Sequence, residues 1–152
     1  MLSKFLFVMS AIVLLGLGAL YFVFNSSYQD SFEARFYYFI GNYEKAYMLS
    51  KRAYEKDSYN KMAFTVFTQS KIALNYEEYI KEGNRYLEKI EKISSSKKYS
   101  EADKIRVKMM CEIMIDRYKK LSPTKLTDKE LLENSKKIYM KFKKLYDELY
   151  GN

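Results

Sequence analysis

The chain has 152 residues, with no histidine, no tryptophan, one cysteine, one proline and five glycines. So little Gly and Pro excludes a fold built from many hairpins, while abundant Lys, Glu, Leu, Ile, Met and Ala favour an all-α protein of one domain plus at most one extra segment. Without histidine the commonest general base and zinc ligand is missing, and the formal charge of +8 points toward acidic proteins, anionic lipid or nucleic acid as partners.

In chain order the first element is residues 5–24, "FLFVMSAIVLLGLGALYFVF", which carry no charge. Twenty helical residues span about 30 Å, the hydrocarbon thickness of a bilayer. Tyr21 and Phe22 stand near the far end, where aromatic rings favour the membrane interface. A cleaved signal peptide usually has a shorter apolar stretch ending in a small-x-small site. Gly16-Leu17-Gly18 offers such a pattern, but six more apolar or aromatic residues follow it. The segment contains neither a GxxxG spacing nor an ionisable group, so the expectation is an uncleaved single-pass tether. Lys4 on the short tail 1–4 outweighs a far flank without Lys or Arg before Arg35. The tail is therefore expected in the cytoplasm and residues 25–152 outside the inner membrane, which in a diderm bacterium is the periplasm.

Beyond residue 24 apolar residues recur at helical spacing. Asp30 or Ser31 is expected to cap a first helix that ends at Ile40, and Gly41-Asn42 to turn the chain into a second over 43–56. Asp57 and Ser58 are predicted to cap a third helix reaching Leu74, with Asn75 turning the chain into a fourth that ends before "SSSKK". Ser100 with Asp103, and Thr127 with Glu130, form capping-box patterns on either side of Pro123. Three antiparallel hairpins follow, over about 28–57, 58–94 and 100–150. The last helix carries a broad apolar stripe, Leu131, Ser135, Ile138, Phe142, Leu145 and Leu149, widened by Leu132, Tyr139 and Tyr146. It reads as a terminal cap over the array, with docking of a partner as the alternative.

No nucleophile elbow, P-loop or dinucleotide-binding glycine motif is present, and neighbouring acids such as Glu77 and Glu78 point different ways from a helix. Neither enzyme activity, cofactor, metal nor small-molecule substrate is expected. The single Cys111, in the apolar run "KMMCEIMI", excludes an internal disulfide, a cysteine zinc site and lipoprotein anchoring. Lys136, Lys137, Lys141, Lys143 and Lys144 make a basic cluster on the last helix and Lys97-Lys98 another. Such clusters read first as a solvated face interleaved with acids; as binding surfaces they suit an acidic partner or anionic lipid headgroups, while a location outside the membrane argues against nucleic acid. Sixteen tyrosines are more than a helical core requires, and tyrosine is enriched at protein interfaces.

The stretch "GNYEKAYMLSKRAYEKDSYN", residues 41–60, resembles the second half of a tetratricopeptide repeat. Gly41, Tyr43, Ala46, Ala53, Asp57 and Asn60 match that family's turn glycine, aromatic, small residues and exit. The preceding helix supplies Ala34 and Tyr37, although Asp30, Glu33 and Ser58 stand where the family has Trp, Leu and Pro. Phe64 and Phe67 would serve a second unit over 61–94, whose expected alanines are Tyr79 and Tyr86. The resemblance implies a short solenoid that binds other proteins along a groove lined by Arg35, Tyr38, Thr65, Gln69 and Ile72, with Ala34, Tyr37, Gly41, Tyr43, Ala46 and Ala53 packing the repeat. The family's Lys/Asn carboxylate clamp is not reproduced. By similarity of architecture, such anchored proteins sit beside secretion translocons or form periplasmic scaffolds around flagellar motors, so the resemblance implies an adaptor in a bacterial envelope complex.

Overall fold

In the computed structural model the described residues, 2–96 and 100–151, form six helices and no strand: α1 (Leu2–Phe24), α2 (Ser26–Phe39), α3 (Tyr43–Lys56), α4 (Lys61–Ser94), α5 (Glu101–Lys120) and α6 (Lys129–Tyr150). The all-α architecture with an apolar N-terminal helix and hairpin packing is the one that composition and periodicity predict. Lys97 and Lys98 lie outside the described residues. The chain divides into two compact units, Met1–Ser70 and Lys71–Asn152.

The first unit begins with α1, in which Lys4–Tyr21 has a mean hydropathy of 2.0 and none of the span is buried. It is long and apolar enough to cross a membrane. Asn25 breaks the helix with extended backbone (ψ 103°) and its side chain accepts from Ser27 N, so the cap of α2 lies well before the expected Asp30 or Ser31. Those two residues instead face inward, Ser31 at 0% exposure and Asp30 at 7%. The α2–α3 turn is as predicted. Gly41 takes φ +79°, its N–H donates to Tyr38 O, and Asn42 N–H donates to Tyr37 O. This is the paired-bond ending that a glycine in the left-handed region allows. Asn42 then caps α3 by accepting from Lys45 N.

Ala34, Ala46, Ala53 and Ala63 are all fully buried, so α2, α3 and the start of α4 approach closely around small side chains. The cap of α4 is Asn60 and not Asp57 or Ser58. Asp57 ends α3 and turns the chain by accepting from Tyr59 N, while Asn60 Oδ1 accepts from Met62 N and Ala63 N.

The turn expected at Asn75 does not form: residues 61–94 are one continuous helix. Asparagine costs a helix only a few tenths of a kcal/mol, and no Gly or Pro accompanies it. In the second unit this helix packs with α5 and α6 around Tyr79, Ile90, Val107, Cys111, Met114, Ile138 and Phe142. Gly83 lets α4 meet α6, since a Cβ there would collide with Ile138 Cγ2. Ser100 and Asp103 form the predicted capping box. At α6 the cap is Asp128, which accepts from Glu130 N, one residue beyond the expected Thr127. Thr127 is buried in the loop, where its Oγ1 accepts from Thr124 N at 2.9 Å.

Candidate protein-interaction site

On the second unit α4 and α5 leave an open cleft of about 520 Å³ lined by Tyr86, Ile93, Met109, Met110 and Ile113, with Lys89, Lys92 and Arg106 at its edge. The floor arises because α5 carries two apolar faces. Val107, Cys111 and Met114 fill the interior, while Ile105, Met109 and Ile113, spaced four apart, stay 60%, 54% and 40% exposed. Among the described residues no carboxylate lines the cleft. Arg106 is held by Asp103 at 3.2 Å, and Lys89 Nζ stands 5.7 Å from the centre of the Tyr86 ring. An apolar floor of flexible methionines under a cationic edge can accept an apolar helix face with acidic flanks.

A second cleft of about 530 Å³ lies between α6 and the loop before it, walled by Tyr76, Tyr118, Tyr139, Leu121, Pro123 and Leu132 with Lys119, Lys136 and Glu133. Tyr118 stacks on Tyr139 at 4.3 Å. Beneath it, desolvation raises the Tyr79 hydroxyl far above its usual range, with the neighbouring Tyr118 adding to the effect. Glu82 is tied to Arg117, which also reaches Glu78 at 3.5 Å. These tyrosines and ions build a packed wall. Among the described residues no three His, Cys, Asp or Glu side chains gather as a metal ion would require.

The groove residues inferred from the repeat resemblance are distributed differently. Arg35 and Thr65 are exposed, Tyr38 is half-buried edge-on to Tyr43, and Gln69 is buried. Ile72 belongs to the second unit. Of the packing residues, Ala34, Tyr43, Ala46 and Ala53 are buried, Tyr37 packs against them and receives Lys45 Nζ over its ring, and Gly41 makes the turn. Tyr47, Tyr54, Phe64 and Phe67 form a ladder of rings between α3 and α4.

The basic cluster on α6 is exposed, yet Lys143 pairs with Asp147 at 2.7 Å and Lys144 with Glu148 at 3.7 Å. The Asp147 carboxylate also raises the Lys143 ammonium above its ordinary value. Lys136, Lys137 and Lys141 complete the cluster. The α4–α5 cleft escaped sequence reasoning, although the Met109–Ile113 spacing beside a separate buried stripe was its signal.

No family model, curated protein or solved structure matches this chain.

Proposed function

We propose that the protein is a membrane-tethered helical adaptor, related in design to tetratricopeptide repeats, that binds a protein partner of a larger envelope complex. In this reading α1 spans the inner membrane, the N-terminus lies in the cytoplasm and residues 25–152 lie outside. The observation that carries it is the α4–α5 cleft, where exposed Met109 and Ile113 lie beneath Lys89, Lys92 and Arg106. A contiguous apolar surface edged by one sign of charge is what a docking site for an acidic amphipathic segment requires. The α6 cluster supports a lipid-binding alternative less well, because Asp147 and Glu148 stand among its lysines, whereas no carboxylate lines the α4–α5 cleft among the described residues.

The test is photocrosslinking in cells from a probe at Met109 or Ile113 of the full chain, with a probe at exposed Glu133 for comparison. The expected result is a discrete envelope-protein adduct from the cleft positions only, lost on Lys89→Glu with Lys92→Glu. Equal labelling from all three positions, or none from the cleft, would defeat the adaptor reading.

A further inference from the structure

Helix α2 turns small and polar side chains inward and leaves its phenylalanines exposed. Its inward face is Ser27, Asp30, Ser31 and Ala34, each 7% exposed or less. Its outward side carries Phe32, Phe36 and Phe39, exposed at 49%, 59% and 87%, continued by the cap residue Ile40 at 54%, with exposed Gln29, Glu33 and Arg35 alongside. Positions 32, 36, 39 and 40 fall on one side of a helix, so these side chains make a continuous apolar stripe. A helix normally turns such a stripe toward its own core. Here the interior is satisfied without it. Ser27 Oγ donates to Ala53 O, Asn60 Nδ2 donates to both serine hydroxyls, and Asp30 takes Arg52 and Lys56.

What covers the stripe follows from what adjoins it. Only Asn25 separates α2 from α1, the membrane-length helix. The two are tied at the junction, where Asn25 N donates to Tyr21 O and Asn25 Nδ2 to the Tyr21 hydroxyl, while the Tyr21 and Tyr28 rings meet edge to face at 6.4 Å. Tyrosines at the end of an apolar span settle at headgroup level. The extended backbone at Asn25 also breaks the run of α1, so α2 does not simply prolong the span away from the bilayer.

We infer that α2 lies along the membrane surface, with Phe32, Phe36, Phe39 and Ile40 sunk into the boundary between headgroups and acyl chains. Arg35, on the flank of the stripe, is placed to reach lipid phosphate. The occupant of this face is the lipid bilayer that α1 crosses, and the inference rests on the tether reading of α1. It fixes which side of the first unit is turned toward the membrane.

The chain contains no tryptophan, so a single introduced Trp reports from one position. Full-length Phe32→Trp, Phe36→Trp, Phe39→Trp, Met48→Trp and Leu14→Trp variants would be reconstituted in phosphatidylcholine vesicles, without bromines or with bromines on both the upper and the deep parts of the acyl chains. Met48 lies exposed on α3, turned away from that helix's buried residues. The expected result is that Trp at 14, 32, 36 and 39 loses most of its emission to bromolipid, whereas Trp at 48 is quenched by aqueous acrylamide alone. Acrylamide quenching at 36 and 39 equal to that at 48 would overturn the inference. So would shielding of these positions from both quenchers, which would mean that a second copy or another protein covers the stripe. If Trp at 14 escapes bromolipid, the tether reading falls and this inference with it. If Trp at 14 is quenched and the α2 positions are not, this inference alone fails.

Discussion

Replacing Asn60 with alanine separates two roles played by one fully buried side chain. Oδ1 accepts from Met62 N and Ala63 N at 3.1 Å each, capping α4. Nδ2 donates to Ser27 Oγ at 2.9 Å and to Ser31 Oγ at 2.8 Å, joining α2 to that cap. Two backbone donors on one side and two hydroxyls on the other fix the orientation of the amide. Loss of the cap costs about 1 kcal/mol. The serines keep the bonds they donate, to Ala53 O and Ser27 O, and lose only a bond they accept, about 0.5–1 kcal/mol each. The total is about 2–3 kcal/mol, a fall in thermal midpoint on the order of 10 °C.

The assay is thermal unfolding of the full-length chain in mild detergent, followed by its helical circular dichroism, with Asn42→Ala as the comparison. Asn42 caps α3 from an exposed position by accepting from Lys45 N, so its loss should cost about 1 kcal/mol. Asn60→Asp is the sharper variant. It keeps an acceptor for the cap and places charge favourably at a helix start, but it removes the donor facing the two hydroxyls. It should remain less stable than the parent. If Asn60→Ala costs no more than Asn42→Ala, or if Asn60→Asp is as stable as the parent, the inter-helix half of the network contributes nothing and this reasoning is refuted.

Asp30 gives a pH signature: hydrogen bonding to Arg52 holds its carboxyl below the ordinary value against the opposing cost of burial, with Lys56 assisting. A depressed folded value means stability present above about pH 3.9 and lost as pH falls through the lower folded value, so an Asp30→Asn deficit of about 1–2 kcal/mol at neutral pH should close in acid. Midpoints that stay equally far apart at low pH would refute it. Gly83→Ala should destabilise by about 1 kcal/mol in denaturant titration although alanine favours helix, because the new methyl meets the stiff side chain of Ile138 as well as Met114 Cε at 3.2 Å; a gain in stability would mean that α6 yields easily. The Cys111 thiol is pushed up to about 11, first by burial and then by the charge of Glu112, so it should resist a thiol reagent at neutral pH until the protein is unfolded.

Local signals that leave one choice were legible in the sequence; where several competent caps stand close together, or a distant neighbour decides, they were not. Gly41-Asn42 and Ser100–Asp103 are complete statements within four residues, and both turns form as they read. Thr127 and Asp128 are both competent caps. The choice between them falls to Thr124, whose backbone N–H engages Thr127 and leaves Asp128 for the helix. Asn75 looks like a turn by itself, but Ala73, Tyr76 and Tyr79 around it keep one helical face buried without a break. Gly83 resembles any helical glycine until Ile138, far along the chain, is placed beside it. The α4–α5 cleft was not read from the sequence, although a second apolar stripe on α5 was there to be seen. Its cationic edge required knowing that Lys89 and Lys92 of α4 lie across from Arg106.

The two units hold together by different means, and that difference explains why aromatic side chains remain for the surface. In the second unit the buried set includes Ile90, Val107, Met114, Ile138 and Phe142, so removal of large apolar groups from water does most of the stabilising. In the first unit the fully buried apolar residues are alanines, and they enclose Ser31, Ser50 and Asn60 at 0% exposure. Close approach at these small residues leaves no room for a phenylalanine at the same positions. Directional bonds such as Ser27 Oγ to Ala53 O and Asp30 to Arg52 therefore set the pairing of α2 with α3. The phenylalanines of α2 lie on its outward side. A face assembled in this way is stable in water only at the cost of exposed apolar area, which is the physical reason to seek a non-aqueous neighbour for it.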